Sequence, residues 1–390
     1  MNVVETHQAI ALADRGHQVE LITRRSSPDA DDVLTLHESP SGGSVRLRHL
    51  TAGPARHLAK SVQPEWIADF SAELARWSPP DLYFSQHWMS GLAALPVARA
   101  RHVPHVQGFH SIAAQRGRPL AEGEPPESPL RVDAEATLAT ESDLVVAVSN
   151  FEASTVIERC GGDPDRVVVI RPGVDAELFR PLPEVADRVL FAARLQPLKG
   201  PDLAIRALAE VPAARRPELV VVGDISEDFA DYGCELDTLV AELGLVDRVR
   251  FVGPRSRAEL AELMGGSRLL LVPSHSETFG LVALEAAAAG CPVLASAAGG
   301  LTEAVADGVS GRLLTDRDPA TWGRAIDELC SDRDGWDRLR RSARAYAETQ
   351  RWDEVAARLE TELQALVTGD AGAREAGTEE NGRVAVEGDR

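Results

Sequence analysis

Residues 269–296 read LLLVPSHSETFGLVALEAAAAGCPVLAS. An unbroken apolar run, Leu269–Pro273, leads into a polar loop and a glycine at 280. A longer apolar stretch, a second glycine at 290 and another run, Pro292–Ser296, follow. Short continuous runs of Leu and Val without polar alternation mark strands buried on both faces. The turn at Gly280 should open a helix, so the segment reads as strand, helix, strand in a parallel sheet covered by helices.

The same alternation runs outward in both directions. Val189–Ala193, Leu219–Gly223 and Val249–Val252 precede it and Arg312–Leu314 follows, with helical patterns between them. In the first half the strands are Val19–Thr23, Ser44–Leu50, Asp81–Ser85, Pro104–Gln107, Leu144–Val148 and Val167–Ile170. The helices there are Val3–Asp14, Pro64–Trp77, Trp88–Arg101, Arg131–Thr140 and Phe151–Arg159. Two successive sets of about six strands predict an α/β chain of two Rossmann-like, doubly wound parallel-sheet domains. Pro and Gly in Arg171–Asp175 (RPGVD) break any continuing element and mark the hinge. The expected domains are residues 1–172 and 173–345. A C-terminal helix within 346–367, strongly amphipathic over Arg351–Val367, is expected to pack back toward the first domain. Residues 368–390 are polar and Gly-rich and expected to be disordered.

The chain opens directly on a helix. A Rossmann-like domain ordinarily begins with a central strand and a glycine turn that aims backbone N–H groups at an anion. Met1 and Asn2 stand where that turn should end. The first strand is therefore expected to be missing, through a start codon placed too late or through natural truncation. The former is favoured, because losing a central strand exposes unpaired edges in a buried sheet.

The length of 390 residues suits two domains, since single cores seldom grow past roughly 250–300 residues. The 61 acidic residues outnumber 41 basic ones, for a net charge of −20, so nucleic acid and anionic membrane are poor partners. Cys160, Cys234, Cys291 and Cys330 show no metal-site spacing and read as reduced thiols. No apolar run approaches the ~18–20 residues of a spanning helix. Glu5, His7, Asp14 and Arg15 interrupt any signal-peptide pattern, so a cytoplasmic location is expected.

Three strand-end loops of the second half carry the chemistry. In Ser274–Glu285 (SHSETFGLVALE), a helix starting at Gly280 presents the N–H groups of Thr278 to Leu281 to negative charge. Glu277 would stand on the loop and Glu285 one turn into the helix, on its cleft side, within reach of two hydroxyl-bearing parts of one ligand. A capping Glu and a chance helix-face Glu would look the same in isolation. Arg194 and Lys199, in one strand-end loop, suit a pyrophosphate whose charge grows as a nucleoside diphosphate leaves. The Gly299-Gly300 loop after Pro292–Ser296 should bring bare backbone close to the ligand.

Together and in this order, these loops resemble the donor-binding domain of glycosyltransferase family 4, retaining enzymes of GT-B fold whose two Rossmann-like domains face a central cleft. Glu277 and Glu285 match that family's E-x7-E motif. Segments 194–202 (RLQPLKGPD), 271–286 (LVPSHSETFGLVALEA) and 307–314 (DGVSGRLL) are most similar to the D-inositol-3-phosphate glycosyltransferases of mycothiol biosynthesis. Residues 1–25 resemble their first helix and next strand, and sucrose-phosphate synthases are more distant. The resemblance implies a donor site of Arg194, Lys199, Gly253, Glu277, Thr278, Phe279, Gly280, Leu281 and Glu285. Arg194 and Lys199 would take the pyrophosphate and Glu285 the ribose. Glu277, with the backbone of Thr278 to Gly280, would take the transferred sugar. His110 would stand beside the reacting centre and orient a donor hydroxyl or carbonyl without acting as a base. Asn2, Lys60, His87, Ser111 and Arg131 occupy the positions that hold the acceptor phosphate in the mycothiol enzymes. There His87 replaces a Tyr and Ser111 a Thr, which leaves the acceptor open.

The mechanism implied is front-face transfer: Arg194, Lys199 and helix-start N–H groups stabilise the departing diphosphate, which can take the acceptor proton. No cofactor is required beyond a UDP- or GDP-linked sugar as co-substrate, and no metal is implied, since no Asp-x-Asp is expected at a strand end. The partners are a small-molecule donor and acceptor, and a homodimer is the one assembly left open. Competing readings are a specialised-metabolite glycosyltransferase, a degenerate sugar-nucleotide-binding protein and a sugar-nucleotide epimerase. The family 4 segments count against the last.

Overall fold

The computed structural model describes residues 3–113, 121, 127–225 and 229–369. These fall into two compact units. One holds the described residues of Met1–Ala113, Ser128–Pro172 and Trp352–Arg390, the other those of Ala114–Glu127 and Gly173–Arg351. Asn2 and the expected tail from residue 370 lie outside the described residues.

In the first unit the order is α1 (Val3–Asp14), β1 (Gln18–Arg24), β2 (Val33–Glu38), β3 (Ser44–Leu50), α2 (Ile67–Leu74), β4 (Tyr83–Gln86), α3 (Trp88–Arg101) and β5 (His105–Gly108). It continues with α4 (Pro129–Glu141), β6 (Leu144–Ala147), α5 (Asn150–Cys160) and β7 (Val167–Val169). The strands form two sheets, β1-β3-β2 and β4-β5-β6-β7. The second is parallel throughout, as continuous apolar runs require. The first departs from the sequence reading, because β2 was not foreseen and pairs antiparallel with β3. Its residues VLTLHE are mostly exposed, so no apolar run announced it. The helix expected over Pro64–Trp77 is also shorter: a 3-10 turn, Gln63–Trp66, precedes α2, which stops at Leu74.

Six strands build the second unit: β8 (Arg188–Ala192), β9 (Glu218–Val222), β10 (Val249–Gly253), β11 (Leu269–Val272), β12 (Val293–Ser296) and β13 (Gly311–Leu314). Their order, β10-β9-β8-β11-β12-β13, is parallel throughout and reverses direction at β8 and β11. Ligands of doubly wound sheets bind at such a switch point, beyond the strands' carboxyl ends. Helices α6 (Pro201–Glu210), α7 (Tyr232–Glu242), α8 (Arg257–Gly265), α9 (Leu281–Ala288), α10 (Leu301–Ala304), α11 (Pro319–Ser331) and α12 (Arg333–Ala347) complete this unit. Val189, Phe191, Leu219, Val221, Leu269 and Leu271 project from the central strands into one core with Trp322 and Ile326.

The amphipathic helix expected over Arg351–Val367 forms within a residue of those bounds, while the domain boundary moves. Helix α12 ends at Ala347, and α13 (Trp352–Thr368) begins beyond Arg351, so the second unit extends past the boundary at 345. Val355, Leu359 and Leu363 of α13 join Leu12, Val106, Leu144 and Val146 in a core of the first unit. All four cysteines are free thiols.

Candidate active site

On the second unit, the loops after β8 and β11 meet. Lys199 Nζ donates to Glu277 Oε1 at 2.7 Å, and Ser274 Oγ donates to the same oxygen at 2.9 Å. Both side chains of this pair are about one-sixth exposed (17% and 16%), so they face a partly dry site in which charge is poorly screened. His275 N donates to Leu198 O at 2.9 Å, pinning the two loops together. Arg194 is exposed and makes no hydrogen bond or ion pair among the described residues.

Gly280 caps α9 at φ +104°, a conformation an L side chain rarely adopts. The loop from Thr278 to Leu281 therefore turns sharply into the helix, with the helix's positive end at the site. The Gly299-Gly300 loop packs closely on the loop before α9. Gly300 N donates to Glu277 O at 2.8 Å, and a Cβ at Gly300 would stand 2.1 Å from Thr278 O. Its bare backbone is thus packed against the ligand loop itself. Gly253 ends β10 at φ +71°, with open space where a side chain would be.

Glu285 departs from the expectation of a carboxylate facing the open site. Its side chain is 5% exposed, and Arg257, which the sequence reading passed over, lies 2.8 Å from its Oε1. Burial raises the Glu285 pKa, and the Arg257 charge opposes that rise. A hollow of about 660 Å³, lined by Pro197, Asp202, Tyr232, His275 and Arg317, adjoins these loops but includes none of Arg194, Lys199, Glu277 and Glu285.

An Asp-x-Asp does stand at a strand end, contrary to the sequence reading: Asp316 and Asp318 follow β13. Both serve the turn. Asp316 accepts from Asp318 N, and Asp318 caps α11 by accepting from Ala320 N and Thr321 N. Among the described residues, no three His, Cys, Asp or Glu groups stand together as metal ligands would.

On the first unit, the ends of β4 and β5 bring His87 and His110 together, with Ser111 and Arg131 beside them. His87 (φ +73°) and His110 (φ +57°) are both left-handed, a strain that non-glycine residues keep mainly where the surroundings over-determine it. His110 Nε2 bonds to Gln86 Oε1, so with a carbonyl oxygen as acceptor the ring proton sits on Nε2. Burial pushes the His110 pKa down to about 4. His87 falls to about 3, first through burial and then through the charges of Arg131, Lys60 and His110. Both rings are neutral at pH 7. Arg131 donates through Nη2 to Ser111 O and Oγ, each at 3.1 Å, and through Nε to the buried Glu135 at 2.8 Å. Lys60 is exposed, yet close enough for its charge to act on His87.

Behind these groups lies Glu152, fully buried and unremarked in the sequence. It accepts from Val148 N at 2.7 Å, and burial raises its pKa to about 7 against the backbone N–H groups of Val148 and His110. The only warning of it is a Glu three residues after the N-cap Ser149, a spacing that ordinarily signals a surface capping box.

The fold is that of a GT-B glycosyltransferase, with two Rossmann-like parallel-sheet units. Residues 179–350 match the family described as glycosyl transferases group 1, and residues 1–173 the glycosyl transferase 4-like domain. The D-inositol 3-phosphate glycosyltransferase of Stackebrandtia nassauensis is 40% identical over 91% of this chain and 84% of its own length. That of Mycobacterium marinum is 36% identical over 91% and 78%. Sucrose-phosphate synthase from Thermosynechococcus elongatus superposes with a TM-score of 0.83 at 26% identity, covering 93% of this chain and 92% of that one. HepE from Anabaena, solved in complex with UDP-glucose, shares the fold with a TM-score of 0.70 at 24% identity, over 82% and 86%. The chain belongs to glycosyltransferase family 4, among relatives that act as D-inositol 3-phosphate glycosyltransferases. Among the described residues, no helix is long and apolar enough to cross a membrane.

Proposed function

We propose that this glycosyltransferase moves N-acetylglucosamine from its UDP derivative to D-inositol 3-phosphate, with retention of the anomeric configuration. A nucleotide-sugar donor places the reaction in the cytoplasm. The observation that carries the donor half is the Lys199–Glu277 pair at the mouth of α9, 2.7 Å apart and mostly shielded from water. Lys199 and the exposed Arg194 bind the diphosphate and stabilise the charge it gains on leaving. Glu277 and the backbone of Thr278 to Gly280 take the sugar hydroxyls. Glu285 accepts from the ribose hydroxyls, and Gly253 and Leu281 complete the donor wall.

His110 orients the donor sugar. A neutral imidazole with a pKa of about 4 is a poor base at pH 7, so the acceptor proton goes to the departing phosphate oxygen. Lys60, Arg131 and Ser111 hold the acceptor phosphate, with Asn2 at the chain start. His87 serves as a neutral hydrogen-bonding wall where a phenol would otherwise stand.

The test incubates the purified protein with inositol 3-phosphate and, in turn, UDP-N-acetylglucosamine, UDP-glucose and a GDP-sugar. Product is followed by NMR. One glycoside with the donor's own anomeric configuration is expected, from the N-acetylglucosamine donor. An inverted product would overturn the mechanism. Turnover only with some other acceptor would overturn the acceptor assignment and leave the donor site standing.

A further inference from the structure

Arg257 has no place in the mechanism above, yet it is the cation nearest the buried Glu285. Its Nη1 lies 2.8 Å from Glu285 Oε1, and its guanidinium stands 5.0 Å over the ring of Phe179, itself fully buried. The start of α8 is fixed. Ser256 accepts from Glu259 N, and Glu259 returns a carboxylate to Ser256 N at 2.8 Å, so Arg257 occupies the first helical position. A cation there faces the positive end of the helix dipole, where helix energetics alone disfavour it. The placement makes sense only through what it touches across the fold.

Other charged groups on helices packed against α9 are engaged elsewhere. Glu259 is bound to Ser256, and Arg344 of α12 donates to the carbonyls of Ala176, Phe179 and Ala288. Arg340 of α12 donates to Leu182 O. The further charged side chains on those helices are Glu262 of α8, Glu303 of α10 and Arg333, Asp334, Asp337, Arg338 and Arg341 of α12. Strands β11 and β12 bring none.

We propose that Arg257 is a positioning residue for the nucleotide: it holds Oε1 of the buried Glu285 carboxylate and keeps the group ionised and fixed, so that Oε2 can serve the ribose hydroxyls. This rests on the reading of Glu285 as the ribose ligand. A carboxyl group this deeply buried would otherwise hold its proton and present an O–H where an acceptor is needed. With the guanidinium beside it, desolvation is partly offset and the acceptor geometry is set before the nucleotide arrives. Packing on Phe179 limits the guanidinium's own freedom, so little ordering remains to be done on binding.

The test is UDP binding by calorimetry to the full chain and to R257M, R257K, E285Q and R257M/E285Q, from about pH 6 to about pH 8.5. Melting curves establish that each variant is folded. R257M should bind UDP about tenfold or more weakly near pH 6. The deficit should shrink as pH rises, because without its partner Glu285 ionises only at higher pH. R257K should restore most of the affinity. E285Q should be weak at every pH, and the double variant no weaker than E285Q. A deficit in R257M that ignores pH and adds to that of E285Q would overturn the proposal. If E285Q binds UDP like the native chain, the ribose assignment itself is wrong.

Discussion

Lys199 and Glu277 hold each other at 2.7 Å, so each meets its ligand with its charge already part-neutralised. A diphosphate that draws Lys199 away frees Glu277 to accept from the sugar. Binding one half of the donor thereby prepares the site for the other. Replacing Lys199 by Ala should lower turnover by about 10²–10³-fold, the usual loss of one contact to a developing oxyanion. The melting temperature should fall only modestly, because Glu277 loses its cation but keeps the Ser274 hydroxyl as a donor. Initial rates beside melting curves check this, and a folded variant with near-native turnover would remove Lys199 from the site. At this scale the sequence exposed one partnership whole and half of another. Lys199 and Glu277 stand in strand-end loops and Glu285 on the helix that follows, at recognisable spacing. Arg257 does not, because its partner comes 28 positions later on another helix and only the sheet's crossover brings the two together. Glu152 hid for a different reason: its spacing after Ser149 is that of a surface cap, and only the fold shows that the carboxylate is buried.

Among elements, the strand–loop–helix units of the second half were the most legible. The inner strands β8, β9, β11 and β12 are almost wholly buried and appear as continuous apolar runs, and β8 to β13 fall within a residue or two of the runs read from sequence. Strand β2 was invisible because it buries little, whereas α13 falls within a residue of the amphipathic run Arg351–Val367. The Gly299-Gly300 loop was legible as a close approach, and Gly300 makes one against the backbone of 278–279. A Cβ at Gly300 would meet Thr278 O at 2.1 Å, Thr278 C at 2.5 Å and Phe279 Cα at 2.7 Å, all backbone that cannot rotate away. Gly300→Ala should therefore push the 277–280 loop outward, costing ~1–3 kcal/mol of stability and a larger share of activity. Gly244→Ala makes the comparison, since its left-handed φ is strained too but nothing lies within 4 Å of the added methyl. Thermal melting and donor KM for both variants are the measurements. Equal activity losses in the two would refute the idea that Gly300 acts through the ligand loop.

Over the whole molecule, histidine is distributed unevenly: nine of the ten lie in residues 7–110, and only His275 lies in the second unit. Three of the nine, His87, His105 and His110, have pKa values pushed down to about 3, 4 and 4, with burial the largest cause each time. A histidine that is neutral when folded but takes a proton near pH 6.5 when unfolded stabilises the fold above that pH. The contribution is lost as pH falls from about 6.5 toward the folded values. Glu152 acts in the opposite sense. Its pKa of about 7 means that the folded chain holds a proton which an unfolded carboxylate would release above about 4.5, so acidification toward that value relieves a strain. Three histidines against one carboxyl leave a net loss of a few kcal/mol for the first unit between about pH 6.5 and pH 4.5. No group of the second unit has a comparable shift in that window, since the carboxyl of Glu285 is raised by burial and resists acid in the same sense as Glu152. The first unit should accordingly open first on acidification. Hydrogen exchange resolved by peptide, corrected for the intrinsic pH dependence of exchange, is the appropriate measurement. Protection in β4, β5, β6 and α4 should fall between about pH 6 and pH 4.5 while β8, β9, β11 and β12 stay protected. His87→Asn and His105→Gln, which remove the titrating rings, should each shift the first transition to lower pH. Simultaneous loss of protection in both units, or loss in the second unit first, would show that these buried rings do not govern the acid response.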